Sequence, residues 1–241
     1  ENAAEDFVTI EGSDVNHIKN VLRMRPGEKI RVCTRNGQNY FCSISDITES
    51  FVRADILEKE AESTELPCRI YLFQGLPKND KMEWIIQKTV ELGVYEVIPV
   101  AMKNCVVKLD DKKAKSKVTR WQAIAESAAK QSKRSLIPEV KMPMSYKEAV
   151  AYAKKLDVKL VPYENEHGMA GTKAAMEQIK KGESIAVFIG PEGGFAPEEI
   201  ALVQDEMQLI SLGKRILRTE TAGIAALAIL GYQLESSDMI E

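Results

Sequence analysis

Metal-binding patterns are missing from this sequence of 241 residues. It has only two histidines, His17 and His167, and they stand far apart. Its four cysteines, Cys33, Cys42, Cys68 and Cys105, form no C-x-x-C pair. The missing His/Cys cluster speaks against a zinc site, and the chain is too long for a disulfide miniprotein. The cysteines are expected to be reduced and buried, as in a cytosolic protein. Phosphate-binding glycine patterns are missing too: neither G-x-x-x-x-G-K-[ST] nor G-x-G-x-x-G occurs, which speaks against a nucleotide hydrolase. No apolar run reaches the length of a membrane span, and the most apolar stretch, Ala222–Leu230, is short and rich in alanine. No signal-peptide pattern is seen, so a cytoplasmic location is expected. There is no overall basic excess either, the net charge being −3.

The hydrophobic fraction, 44%, is enough for a core. Residues 1–66 read as β-rich. Lys29–Cys33 is a β-branched run, Asn36-Gly37 is a hairpin signal, and Tyr40–Ser45 and Phe51–Leu57 alternate as strands do. A helix is expected over Val15–Met24. The acidic stretch Glu58–Glu65, followed by Pro67, marks a boundary.

From Arg69 onward strands and helices alternate. Arg69–Phe73 reads as a buried strand. Asp80 with Glu83 predicts a capping box for a helix carrying Met82, Ile85, Ile86 and Val90 on one face. Gly93 ends it, and Val94–Val100 is the next strand. That βαβ unit predicts a parallel sheet. Trp121, Ile124, Ala125 and Ala128 share another helix, and Ser145 with Glu148 caps a third. Val158–Tyr163, Ser184–Ile189 and Leu209–Leu212 are further strands; Thr172–Lys180, the segment from Pro197 and Thr219–Leu234 are helices.

Two loops stand out. Gly190-Pro191-Glu192-Gly193-Gly194 follows a strand and precedes a helix, where open α/β sheets bind ligands. Read alone it could be a tight turn. Ser211-Leu212-Gly213-Lys214-Arg215-Ile216-Leu217-Arg218 again lies between strand and helix. Arg218 stands just before a helix start, where the helix dipole disfavours a cation. Local charge is also uneven. Residues 103–134 hold ten Lys/Arg against three acids, and Lys19–Arg35 holds six basic residues against Glu28. Such runs suit phosphate contact or simply a solvated surface.

Together, the Phe188–Phe195 and Ser211–Ala222 segments resemble the cofactor-binding loops of the SPOUT class of RNA methyltransferases. His17–Met24, Lys81–Lys88 with Glu91-Leu92-Gly93, Val107-Lys108-Leu109, Trp121 and Gln131–Arg134 extend the likeness. Nearly the whole chain resembles the bacterial 16S ribosomal RNA (uridine-N3) methyltransferase family. The resemblance implies an α/β fold: a PUA-like RNA-binding β-barrel at 1–66 and a SPOUT domain with a trefoil knot at 67–241. It implies S-adenosylmethionine as cofactor, 16S rRNA or the small ribosomal subunit as partner, a homodimer, and no metal. Gly190, Glu192, Gly193 and Gly194 are expected in one cofactor loop, and Leu212, Gly213, Ile216 and Leu217 in the next. The three aliphatic residues could sandwich an adenine or belong to the core. Arg218, and after it Arg134, are candidates to stabilise a uracil anion. Glu220 could accept the N3 proton or merely stabilise a helix start. RNA contacts are expected at His17, Lys19, Arg23, Arg25, Lys81, Lys88 and Lys108. Alternatives are the same fold acting on a ribose 2′-oxygen or guanine nitrogen, and a non-catalytic RNA-binding assembly factor.

Overall fold

The computed structural model describes residues 6–34, 38–60, 64–166 and 168–236; the hairpin expected at Asn36-Gly37, and His167, lie outside them. The chain divides into two compact units, Glu1–Glu65 and Leu66–Glu241.

The first unit comprises β1 (Phe7–Glu11), one helical turn α1 (Ser13–Asn16) continued by a π-turn over His17–Val21, β2 (Lys29–Cys33), β3 (Asn39–Ile47) and β4 (Phe51–Glu60). The strands form an antiparallel sheet in the order β1-β4-β3-β2. Alternate residues turn inward: Cys42 and Ile44 on β3, and Val52 and Ala54 on β4, are all buried. Val15 and Ile18 cover Ile44 and Val52. The helix expected over Val15–Met24 stops early. The Leu22 N–H bonds the His17 carbonyl in a π-turn, and Arg23 takes the left-handed conformation, φ +54°. A run of helical φ/ψ cannot pass such a residue.

The second unit comprises β5 (Arg69–Gly75), α2 (Lys81–Glu91), β6 (Val94–Ala101), α3 (Asp111–Gln131), β7 (Glu139–Val140), β8 (Met144–Ser145), α4 (Tyr146–Ala153), β9 (Val158–Pro162), α5 (Ala170–Glu177), β10 (Ser184–Ile189), α6 (Pro197–Val203), β11 (Gln208–Ile210) and α7 (Thr219–Ser236). Its sheet is parallel, ordered β11-β9-β10-β5-β6-β7, with β8 also beside β6. The central strands are continuous apolar runs because helices cover both faces. Ile70, Leu72, Ile185 and Val187 share one face with residues of α2, α3 and α7. Phe73, Ile98, Val161 and Phe188 share the other with α4 and α6. Phe73 and Phe188 stack with ring centroids 4.4 Å apart.

The helix starts divide. At α4 the capping box forms as expected: the Ser145 N–H donates to Glu148 Oε2 at 2.8 Å and the Glu148 N–H to Ser145 Oγ at 3.3 Å. At α2 it does not, because the Asp80 side chain caps nothing. Asp80 sits at φ −93°, ψ 14°, outside the extended region that an N-cap needs. Glu83 is taken instead by Arg120 of α3, with Nε 2.7 Å away. No described helix is long and apolar enough to cross a membrane.

Parallel pairing brings the carboxyl ends of β5, β9, β10 and β11 to one edge of the sheet. The amino end of β6 and the last turn of α2 lie at the other edge.

Candidate functional site

Both glycine-bearing loops emerge at that carboxyl edge. The first, Gly190–Ala196, follows β10 and doubles back so that the Gly194 N–H donates to the Pro191 carbonyl at 2.9 Å. Gly194 has φ +66°, a conformation that side chains rarely take, and a Cβ there would sit 3.4 Å from the Glu164 carboxylate. Asn104, in the loop after β6, donates from Nδ2 to the carbonyls of Gly193 (3.0 Å) and Gly194 (3.2 Å). Buried Glu199 accepts the N–H groups of Ala196 and Lys103, each at 2.9 Å, and so ties the same two loops.

The second loop, Ser211–Arg218, follows β11. Thr172, 2% exposed, fixes its start: the Ser211 N–H donates to Thr172 Oγ1 at 2.9 Å, and that hydroxyl donates back to the Ser211 carbonyl at 2.8 Å. The Gly213 N–H is held by Ser211 Oγ at 3.2 Å. Leu212 is half-buried against the core and Leu217 is half-buried. Ile216, by contrast, is 87% exposed. Of the two readings left open for the aliphatic residues, core membership does not hold for Ile216. Arg218 is exposed at the base of α7, and among the described residues no carboxylate pairs with it.

Between these loops lies a cluster of charge. Lys81 Nζ stands 3.0 Å from Glu192 Oε1 and 3.1 Å from Glu220 Oε2. Glu192 also accepts the Lys78 N–H at 3.0 Å. All three side chains are about three-quarters or more covered. Hydrogen bonds from Lys81 to Glu192, then to Glu220, raise the pKa of the ammonium. Burial pushes the Glu192 carboxyl up, but the N–H groups of Glu192 and Lys78 and the Lys81 ammonium together outweigh it and hold the carboxyl below its ordinary value. A carboxyl depressed on folding contributes stability that is present above its unfolded pKa and lost as pH falls through the folded one. In Lys81→Met part of that depression goes. The drop in melting temperature between pH 7 and pH 4 is therefore expected to be smaller than in the wild type; an unchanged drop, measured by scanning calorimetry, would disprove the coupling.

The other candidate residues are dispersed. Lys81, expected on RNA, is committed to the two carboxylates. Lys88 pairs with Glu91 at 2.8 Å and lies 5.0 Å over the Trp84 ring. Lys108 is exposed and without an ion-pair partner among the described residues. In the first unit His17, Arg23 and Arg25 are exposed, while Lys19 pairs with Glu49. Arg134 is not brought to the loops. It is 8% exposed, and its Nη1 donates to the carbonyls of Val90 (3.1 Å) and Val94 (2.6 Å), at the amino edge of the sheet. There the buried guanidinium ties the Val90 carbonyl of α2, which also accepts the Gly93 N–H, to the Val94 carbonyl at the start of β6. The basic run of 103–134 is also partly neutralised. Lys103 pairs with Glu198, Lys113 with Asp110, Lys117 with Asp80, Arg120 with Glu83 and Lys130 with Glu126. Lys112 and Lys115 join Lys108 as exposed cations without such a partner among the described residues.

Sequence reading missed Glu164, Asn104, Glu199 and Thr172. Glu164 lies beside Gly194, and the bonds of Asn104 to Gly193 and Gly194, of Glu199 to Lys103 and of Thr172 to Ser211 join segments distant in the chain, which no local pattern marks; the Glu199 bond to the Ala196 N–H alone is a local helix-start contact. Among the described residues no group of three or more His, Cys, Asp or Glu could hold a metal.

An α/β sheet with two built loops at its carboxyl edge is the arrangement in which open α/β proteins bind ligands, and comparison with known proteins narrows the class. The family described as "RNA methyltransferase domain" matches residues 64–231, and that described as "RNA methyltransferase PUA domain" matches residues 10–57. The chain belongs to this RNA methyltransferase family. It is 39% identical to ribosomal RNA small subunit methyltransferase E of Bacillus subtilis, over 94% of this chain and 90% of that protein. The same-named protein of Mesomycoplasma hyopneumoniae is 35% identical, over 91% of this chain and 92% of the relative. Among solved structures, the ribosomal RNA small subunit methyltransferase E of Neisseria gonorrhoeae bound to S-adenosyl methionine is similar with a TM-score of 0.80. It is 34% identical, covering 96% of this chain and 94% of that one.

Proposed function

We propose that this protein transfers a methyl group from S-adenosylmethionine to N3 of a uridine in 16S ribosomal RNA of the small subunit, acting as a cytoplasmic homodimer whose second unit carries a backbone knot. The observation that carries this reading is the pair of loops at the carboxyl edge, in a chain of the RNA methyltransferase family, with the unpaired Arg218 at the end of one of them.

The loops fit such a cofactor. A Cβ at Gly190 would lie 3.2 Å from the Gly194 carbonyl carbon, so the backbone itself forms the surface there. Gly190, Glu192, Gly193 and Gly194 would hold the cofactor from one side, and Leu212, Gly213, Ile216 and Leu217 from the other. The exposed Ile216 supports this, since an apolar side chain so open to water gains from being covered. When bound, S-adenosylmethionine supplies an electrophilic methyl carbon on its sulfonium.

The protein's part is position and charge. Uridine N3 must be unpaired, and its base turned out of any stack, before it can react. The Arg218 guanidinium would face the uracil carbonyl oxygens and stabilise the anion formed as N3 loses its proton. Glu220, two residues on in the first turn of α7, would take that proton, its orientation set by Lys81. His17, Lys19, Arg23, Arg25 and Lys108 would contact phosphate, and such contacts weaken as salt rises.

Calorimetric titration with S-adenosylmethionine, wild type beside Gly194→Trp, tests the reading. The wild type is expected to bind saturably and the variant to lose binding, because a large side chain at φ +66° enters the space beside Glu164. Incubation with small subunits that lack the modification should then give 3-methyluridine by mass-resolved nucleoside analysis. A folded wild type with neither binding heat nor thermal stabilisation would favour an RNA-binding factor. A methylated ribose or guanine would overturn the target atom alone.

A further inference from the structure

Gln74 breaks the apolar run of β5. Its side chain is fully buried on the face that packs against α7, where an amide is costly unless its hydrogen bonds are met. Its Nε2 donates to the Gly75 carbonyl at 3.1 Å and to Thr219 Oγ1 at 2.9 Å. Thr219, 5% exposed, donates in turn to the Gly190 carbonyl at 2.6 Å. Thr219 is the first residue inside α7, since the Arg218 carbonyl accepts the helix's first bond from the Ala222 N–H, so its hydroxyl is not taken up in capping. This hydroxyl is instead the middle link of a chain from β5, through α7, to the cofactor loop.

The surroundings are shaped to this chain. A Cβ on Gly75 would lie 2.7 Å from the Pro191 nitrogen, and one on Gly223 would lie 3.2 Å from Gln74 Oε1. That oxygen has no hydrogen-bond partner among the described residues. Reversing the amide would set it against the Gly75 carbonyl oxygen, so the two acceptors fix the orientation and leave Oε1 unmet. Retaining a buried amide with an unmet oxygen, where a leucine would pack, is a cost that stability alone does not explain.

We infer that Gln74 and Thr219 are positioning residues for S-adenosylmethionine: their relay sets the Gly190 carbonyl, and with it the Pro191–Gly194 turn, in the cofactor-ready arrangement. The inference rests on the cofactor reading above. The relay acts on the peptide that joins Gly190 to Pro191. Pro191 has no N–H of its own to anchor that peptide, so the carbonyl is its one hydrogen-bonding handle. With the carbonyl held, the turn is organised before the cofactor arrives, which lowers the ordering cost of binding.

The test compares Thr219→Val, Thr219→Ser and Gln74→Met with the wild type by calorimetric titration with S-adenosylmethionine, well below each variant's melting temperature. Valine keeps the shape of threonine and loses the relay, whereas serine keeps the hydroxyl. The dissociation constant is expected to rise about tenfold or more in Thr219→Val and Gln74→Met, and to return to within about threefold of wild type in Thr219→Ser; tenfold corresponds to about 1.4 kcal/mol. At saturating cofactor, single-turnover methylation should recover. Should Thr219→Val fail to fold, by circular dichroism, Gln74→Met against the wild type carries the same comparison. Folded relay variants that bind as the wild type does, with only the melting temperature lowered, would overturn the relay and leave the cofactor reading standing. Failure of the wild type itself to bind would overturn both.

Discussion

Arg218→Met lowers the single-turnover rate of methyl transfer by about 10²–10³-fold, the range for removing one donor that stabilises a developing oxyanion. Binding of S-adenosylmethionine stays within about twofold of wild type. The expectation follows from where Arg218 stands. It closes the Ser211–Arg218 loop, it is exposed, and no acid among the described residues neutralises it. A cation at a helix start gains nothing from the helix dipole. Its backbone carbonyl accepts the Ala222 N–H at 2.8 Å, so the residue is fixed at its Cα while the guanidinium is free to meet a ligand. Arg218→Lys keeps the charge and loses the planar fork, and should recover only part of the rate. Rapid-quench measurement with radiolabelled cofactor, beside calorimetry, separates the two effects. An unchanged rate in Arg218→Met would remove the residue from the chemistry.

Arg134→Met behaves in the opposite way, costing stability while chemistry per folded molecule stays within a few-fold. The guanidinium is buried and donates to the Val90 and Val94 carbonyls, where α2 ends and β6 begins. Losing it leaves the Val90 carbonyl with the Gly93 N–H and takes the side-chain donor from the Val94 carbonyl, at about 1–3 kcal/mol for a stranded acceptor unless water reaches it. A loss of about 1–3 kcal/mol corresponds to roughly 2–12 °C in melting temperature for a unit of this size. Denaturant unfolding and the single-turnover rate, measured on the same preparation, decide the matter. A variant of unchanged stability that fails to methylate would restore Arg134 as a residue at the uracil, reached from this chain or a partner.

Some of this was legible in the chain. The central strands of the second unit are largely apolar because both faces are covered, and that pattern is local. The Ser145/Glu148 capping box formed because its partners are three residues apart and nothing else competes for them. Asp80/Glu83 has the same spacing, yet Arg120 drew Glu83 away from α2, a competition that spacing does not reveal. The expected helix at Val15–Met24 failed at a single left-handed residue, Arg23, whose side chain carries no warning of it.

The functional loops divide in the same manner. Glycines between a strand and a helix announce a backbone-lined site, and the segments of 188–195 and 211–222 carried the family likeness. Folding alone decided that Lys81 serves Glu192 and Glu220 rather than solvent, that Arg134 turns away to the opposite edge, and that Gln74 reaches Gly190 through Thr219. By itself the sequence determined the succession of elements and the places where backbone must be bare, because periodicity and glycine act within a few residues. Only the tertiary structure decided which charges neutralise each other and which polar groups are buried together, because those pairings join positions brought close by the order of strands in the sheet.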